Sequence, residues 1–473
     1  MTTDSSTTTP NASLPPGPDY PRALQTLGWM LRPGPFLERC RDRYGDIFTM
    51  KIAQEKTWVI LGDPEHVKQV FTGSPAKLHA GEANEILRPL LGNRSVLVLD
   101  DEPHLTTRKL MLPSFHGERM QRYGELMRDV AEREIAGWPL GDPFPLVPRM
   151  QAVTLEVIMR AVFGVQRGPQ MDQLREPLRQ LLDDATTPRT LLPIVLLGPD
   201  RMHWLPWLRQ GLERVHTALN DVIAQRRLEP DLQERDDVLS LLLQARYDDG
   251  SEMTDEELRD QLITLLIAGH ETTATGLAWA VERLLRHPDK LERLRDEVAA
   301  GGDEYVDAVA KETLRLRPVI PIVVRQLVEP MEIGGWMLPA GIRVAPCIHL
   351  IHRRPDIYPE PARFRPERFL ESPPGTYTWI PFGGGIRRCL GASFALFEMR
   401  VVLSAIVSRA RLRAPTTPSE HVRRRVITWA PSRGGEVVVD RLEPAPAGRA
   451  EDALTARSDP APAPEPKPTA AAA

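Results

Sequence analysis

One cysteine stands where chemistry can use it. Cys389 lies in Pro381-Phe382-Gly383-Gly384-Gly385-Ile386-Arg387-Arg388-Cys389-Leu390-Gly391, and an apolar helical pattern over 392–408 follows. The loop delivers the thiol at or just before a helix N-terminus. There, unpaired N–H groups and the positive end of the helix dipole favour a thiolate. The glycines let the backbone and a flat ligand approach with no Cβ atoms in the way. A thiolate alone on a rigid loop is a good axial ligand for haem iron. The bland alternative is a buried structural cysteine behind a tight turn. That alternative does not account for Phe-x-x-Gly-x-Arg-x-Cys-x-Gly, which specifies residues across the whole loop, so Cys389 is read as a metal ligand.

A second group lies in Ala268-Gly269-His270-Glu271-Thr272-Thr273. Glycine costs about 1 kcal/mol in a helix interior, and threonine is a mediocre helix former. Yet the flanks are strongly helical. Thr254-Asp255-Glu256-Glu257 has the spacing of a capping box, and an apolar stripe runs from Leu258 through Leu262, Leu265 and Leu266 to Leu285. The pattern predicts a helix of about thirty residues, ended by His287-Pro288, with a new helix starting at Pro288. Weak helix formers in its middle predict a local distortion with a purpose, because threonine hydroxyls can bond the preceding turn. The competing reading is a polar patch on a water-facing side. Two further pairs share a helix face: His104 with Arg108 at i, i+4, and Glu312 with Arg315 at i, i+3. Taken alone, either could be a solvated surface pair worth a few tenths of a kcal/mol.

Taken together, these motifs resemble the cytochrome P450 family over residues 14–441. Phe382, Gly385, Arg387, Cys389 and Gly391 match its haem-binding loop without departure. The resemblance implies a haem b cofactor (iron protoporphyrin IX) with Cys389 as proximal thiolate, Phe382 packed near it and Arg387 on a haem propionate. It makes His104, Arg108 and Arg325 further propionate donors, which suits cations facing carboxylates. It implies a buried triad of Glu312, Arg315 and Arg368 with a structural role near the proximal face. It places Glu271 and Thr272 as an acid–alcohol pair relaying protons to dioxygen, with Gly269 leaving room for oxygen. His270 lies one residue off that face and is read as structural. The implied fold is mainly α with small β-sheets (α+β), the haem lying between the long central helix and the helix after the cysteine. The entry Pro15-Pro16-Gly17-Pro18 and Tyr44-Gly45-Asp46 resemble branches with a longer N-terminal region, and the texture is that of soluble actinobacterial members.

The elements that must position these groups are mostly helical. Apolar residues at helical spacing mark 118–138, 150–163, 207–227 and 236–245, and strands are expected at 47–52, 58–61, 331–333, 343–346 and 437–439. One domain is expected over 14–441. Residues 1–13, and the Pro- and Ala-rich 442–473, are read as disordered, because such segments bury too little apolar surface. The chain has 473 residues, Lys+Arg 60 against Asp+Glu 64, and Cys 3. That balance argues against a nucleic-acid partner, and the scattered cysteines against a disulfide framework. The longest apolar runs, 191–197 and 262–268, fall short of the roughly 18 residues a membrane span needs, so a cytoplasmic protein is expected. No stretch is left for a flavin domain, so the electrons are expected from a separate ferredoxin and reductase. A hydrophobic small-molecule substrate and dioxygen complete the set. The substrate is not named by the largely aliphatic candidate linings at 85–99, 191–207, 263–267, 319–324 and 427–429. Two rivals remain: a peroxide-driven haem-thiolate enzyme, against which the acid–alcohol pair speaks, and a non-enzymatic haem sensor, for which no output domain is seen.

Overall fold

The capping signal at Thr254 builds the scaffold. Thr254 Oγ1 accepts from the Glu257 N–H while the Glu257 carboxylate accepts from the Thr254 N–H, and the helix runs unbroken over Asp255–Leu285. This capping box satisfies two donors that a helix start otherwise leaves unpaired. The distortion expected at 268–273 does not interrupt the helix. Instead the Thr272 hydroxyl donates to Ala268 O at 2.7 Å, a bond to the preceding turn.

The computed structural model describes residues 14–53, 56–115, 119–164, 168–185 and 205–444. The segments read as disordered, 1–13 and most of 442–473, lie outside the described residues, as does most of 191–207. Leu442 still ends a strand, Glu436–Leu442, and Glu443 N–H bonds Arg409 O, so ordered chain passes the expected boundary.

Other helices pack around the central one. They include Asp101–Met111, Arg119–Ala136, Leu146–Phe163, Pro206–Arg227, Pro288–Ala299, Glu304–Leu316 and Ala392–Arg409. The last begins just after the cysteine, as its apolar run predicts. The main apolar core forms where these helices meet the central helix, and is lined by Leu262, Leu266, Leu277, Met159, Val402 and Ile406. The segment 236–245 forms a shorter helix, Val238–Gln244, because Asp237 caps it by accepting from Ser240 N–H.

A five-stranded sheet covers one margin, in the order Ile47–Lys51, Thr57–Leu61, Arg343–Pro346, Arg325–Leu327, Leu78–His79. The proline-rich entry lies along it. Thr49 N–H bonds Pro16 O and its hydroxyl bonds Pro15 O, and a Cβ at Gly17 would stand 1.9 Å from Thr49 O. Glycine is thus required there by the close approach of two backbones. A separate hairpin, Val422–Arg425 with Thr428–Pro431, sits against the central helix, where Trp279 Nε1 donates to Trp429 O. Trp429 is buried against Trp29 and His349, so this part of the expected pocket lining is plain core. Ile263 is buried in the core as well. No helix among the described residues is long and apolar enough to cross a membrane.

Candidate functional site

The cysteine loop is built by short backbone bonds. Gly383 N–H reaches Ile380 O, Arg388 N–H reaches Gly385 O, and Cys389 N–H reaches Phe382 O at 3.0 Å. Gly383 and Gly385 hold φ near +66° and +65°, a region that L side chains rarely adopt. The closest approach here is protein on protein: a Cβ at Gly385 would stand 2.2 Å from Phe71 O, and one at Gly384 would strike the Phe71 ring. The loop is therefore pinned against the helix Pro64–Thr72. Phe382 leans edge-on against Trp379.

Cys389 has open surface, yet protein surrounds it closely enough for burial to push its thiol pKa up. The Gly391 N–H bonds the sulfur, and Arg108 and Arg388 add positive charge, all pulling the other way. A coordinated metal would deprotonate the thiol outright. Gly391 caps the helix with φ −88°, and a Cβ there would meet nothing within 4 Å.

Three arginines, Arg108, Arg325 and Arg387, gather around His104, and Arg108 also acts on the sulfur. Arg108 Nη2 donates to Arg388 O at 2.7 Å. Arg387 donates to Val96 O, to Leu99 O and to Asp100 at 2.6 Å. Arg325 is buried, and its Nη1 donates to its neighbour's carbonyl, Val324 O, at 2.8 Å. Burial first, then Arg387, pushes Arg325 down to about 10; burial, with Arg387 and Arg108, pushes His104 down to about 3, so His104 is neutral. Buried cations with few carboxylate partners call for an anion. A planar group bearing two carboxylates fits this surround, with the sulfur as its metal ligand, so the residues present suit a haem.

Asp100 was not legible as a site residue. Its carboxylate accepts from the N–H groups of Ala80, Gly81 and Glu82, all at 2.8 Å, as well as from Arg387. It ties the loop after Leu78–His79 to the cysteine loop. The only sequence signal is its place just before the helix Asp101–Met111, where an aspartate reads as a cap, but its side chain makes no cap bond.

On the central helix one short sector is open while the turns on either side are buried. Ala268 is exposed, Leu265, Gly269, Glu271 and Thr272 are half-buried, and Thr264 and Thr275 are buried. At 100° per residue, Thr272 lies about 40° to one side of Ala268 and Glu271 about 60° to the other. Gly269 has a packing reason: a Cβ there would press Ile158 Cδ1 at 3.2 Å. His270 is buried, its Nδ1 lies 3.1 Å from Thr154 Oγ1, and burial pushes it down to about 4. It is a neutral core histidine, as expected. Glu271 is held at the edge of the opening. It accepts from Gln151 Nε2, and Arg425 Nη1 stands 3.1 Å from its Oε1. Burial raises its pKa while Arg425 and Gln151 oppose. Neither partner was found from sequence, because both contacts are distant in the chain.

The triad forms as expected. Arg315 donates to both Glu312 oxygens at 2.6 and 2.9 Å, and Arg368 Nε donates to Glu312 Oε1 at 3.2 Å. Glu312 also accepts from Arg365 N–H. The Tyr358 ring lies under both guanidinium groups.

The comparisons with known proteins agree with this geometry. Residues 15–434 match the cytochrome P450 family. Cytochrome P450 135B1 of Mycobacterium tuberculosis is 45% identical over 440 residues, covering 91% of this chain and 92% of its own length. Cytochrome P450 138 of the same organism is 38% identical over 435 residues, covering 91% and 97%. Among solved structures, the retinoic acid-bound cyanobacterial CYP120A1 aligns with a TM-score of 0.78 at 24% identity, covering 92% of this chain and 100% of that one, which speaks for the fold alone. The chain belongs to the cytochrome P450 family of haem-thiolate monooxygenases and is of the actinobacterial type.

Proposed function

We propose that this chain holds haem b through Cys389 and inserts one oxygen atom from O2 into an apolar small molecule, with electrons from a separate ferredoxin and reductase in the cytoplasm. The observation that carries this reading is the opening around Ala268, with an alcohol on one side and an acid on the other. Haem, when bound, supplies the oxidising chemistry. The chain's own residues do the rest. Arg108, Arg325 and Arg387 offer positive charge to the propionates, and neutral His104 offers an N–H. The Gly391 N–H steadies the sulfur. Thr272 spends its proton on Ala268 O, which leaves its oxygen able to accept a hydrogen bond in the opening. Burial raises the pKa of Glu271 above the ordinary carboxylate range, against Arg425 and Gln151, which favours its taking up a proton at the edge of the opening. Leu265 and Ile267 give the opening apolar flanks, which favours an apolar substrate.

The test begins with protein loaded with haem b, reduced and exposed to carbon monoxide. The absorption band of thiolate-ligated haem is expected, and Cys389→Ala removes it. Turnover with a surrogate ferredoxin, its reductase and NADPH then separates the readings. Thr272→Ala diverts electrons from product to hydrogen peroxide, and Glu271→Ala with Thr272→Ala abolishes coupled turnover. Undiminished coupled turnover in the double variant refutes the relay, and turnover with peroxide alone favours the peroxide-driven rival.

A further inference from the structure

The hairpin at 422–431 has an unusual turn. Arg425 pairs with Thr428, so Val426 and Ile427 form a two-residue connection. Val426 sits at φ +53°, a left-handed conformation that β-branched residues adopt rarely and at a cost. Both turn side chains are exposed, at 37% and 42%. An exposed apolar pair on a strained turn is poorly suited to water, and nothing in the hairpin's own packing calls for it.

Arg425, next to that turn, reaches the central helix. Its Nη1 lies 3.1 Å from Glu271 Oε1, and the side chains are 31% and 20% exposed. The approach is close without being aligned for a directed hydrogen bond, since Oε1 finds no hydrogen-bond partner. The contact is thus an ion pair that a small hairpin displacement can break. Its neighbour Arg424 is anchored, donating to Val426 O and lying over the Trp29 ring at 4.9 Å. The hairpin base is fixed, and Arg425 is the cation it presents to the helix.

We propose that Arg425 is a positioning residue that latches the Glu271 carboxylate and so couples the hairpin turn to proton handling in the opening. The proposal rests on the reading of Glu271 as a proton-carrying acid. While latched, the carboxylate is favoured as an anion and is held at the edge of the opening. Released, it keeps its burial without its counter-charge, and the protonated form gains. Displacement of Val426 and Ile427 by an apolar ligand is the motion that would release it.

Amide hydrogen exchange of the holoprotein tests the latch apart from activity. In Arg425→Gln and in Glu271→Gln, exchange over 422–431 is expected to rise about fivefold, the size of a partly exposed ion pair. The double variant rises no further, and Arg425→Lys restores most of the protection. Ligand-free NADPH oxidation with surrogate ferredoxin and reductase is the second readout. It rises several-fold in Arg425→Gln, because the acid is freed, and falls in Glu271→Gln. Unchanged exchange and oxidation in Arg425→Gln, with oxidation lowered in Glu271→Gln, overturns the latch and leaves the acid's role standing. Oxidation unaffected by Glu271→Gln overturns the acid's role itself. Additive exchange in the double variant means that the two residues do not act on each other.

Discussion

Replacing Glu312 with glutamine tests whether the triad is a buried charge network or a decorative one. Glu312 and Arg315 are each 0% exposed, and Glu312 accepts from Arg315 twice, from Arg368 and from the Arg365 N–H. Glutamine keeps the volume but removes the charge. It also turns an NH2 group toward donors that need an acceptor. Arg315 keeps its bonds to His352 O and Pro361 O, so it stays in place as a buried cation without its counter-ion. Breaking a buried pair in this way costs about 3–5 kcal/mol, a large share of the roughly 5–15 kcal/mol that keeps a domain folded. An exposed pair calibrates the measurement. Arg363 and Glu360 are 3.3 Å apart with side chains 62% and 64% exposed, and Glu360→Gln should cost no more than about 0.5 kcal/mol. Guanidinium unfolding followed by circular dichroism, at matched haem occupancy, reads both. Glu312→Gln should lower the midpoint strongly, Glu360→Gln hardly at all, and Glu312→Ala should lose haem. A Glu312→Gln protein within about 1 kcal/mol of wild type would falsify the buried-network argument.

Two further perturbations follow from local geometry. Burial pushes His349 down to about 4 despite its bond to Glu38. The unfolded chain then binds a proton near pH 6.5 that the folded chain refuses. Stability is complete above pH 6.5 and declines as pH falls toward 4, by an amount on the order of a few kcal/mol. Denaturant unfolding at pH 7.5 and 4.5 should show this difference shrinking in His349→Gln, and an equal loss in both proteins would rule it out. The two glycines near the sulfur should behave oppositely. Gly385→Ala must place a Cβ 2.2 Å from Phe71 O at a positive φ, and should cost at least about 2 kcal/mol. Gly391→Ala meets open space at an ordinary φ, and should leave apoprotein stability within about 0.5 kcal/mol. Thermal melts of both apoproteins decide, and equal shifts would mean that the loop relaxes.

Local signals carried the fold well. The capping box at Thr254, the proline at 288 and the apolar run after Gly391 each act over a few residues, and each element starts where its signal stands. Strands 331–333 and 343–346 also fall where they were expected. Tertiary contacts decided what local patterns could not. Thr428 and Trp429 complete a hairpin because of their partners at 424 and 425, and nothing in the short run 427–429 separates a pocket wall from core. Trp429 went to the core because Trp29, His349 and the indole of Trp279 converge on it.

The site divides along the same line, and the division bears on how residue roles should be assigned. Glycine 269 was given to oxygen and glycines 384 and 385 to a flat ligand. Yet the atoms a Cβ would strike belong to Ile158 and Phe71. At Gly384 and Gly385 protein packing alone calls for glycine, while at Gly269 the contact with the end of the Ile158 side chain is only tight. Arg387 is similar. Three protein acceptors already engage its two terminal nitrogens, so it is a fixed positive charge whose place Asp100 and the carbonyls of Val96 and Leu99 determine. Arg325 is the contrasting case: bonded to its neighbour's carbonyl, and lowered in pKa first by burial and then by the charge of Arg387, with Asp100 opposing. An arginine in that position is costly to the folded chain unless an anion joins it. Of the two, Arg325 has the fewer hydrogen-bond partners from the protein.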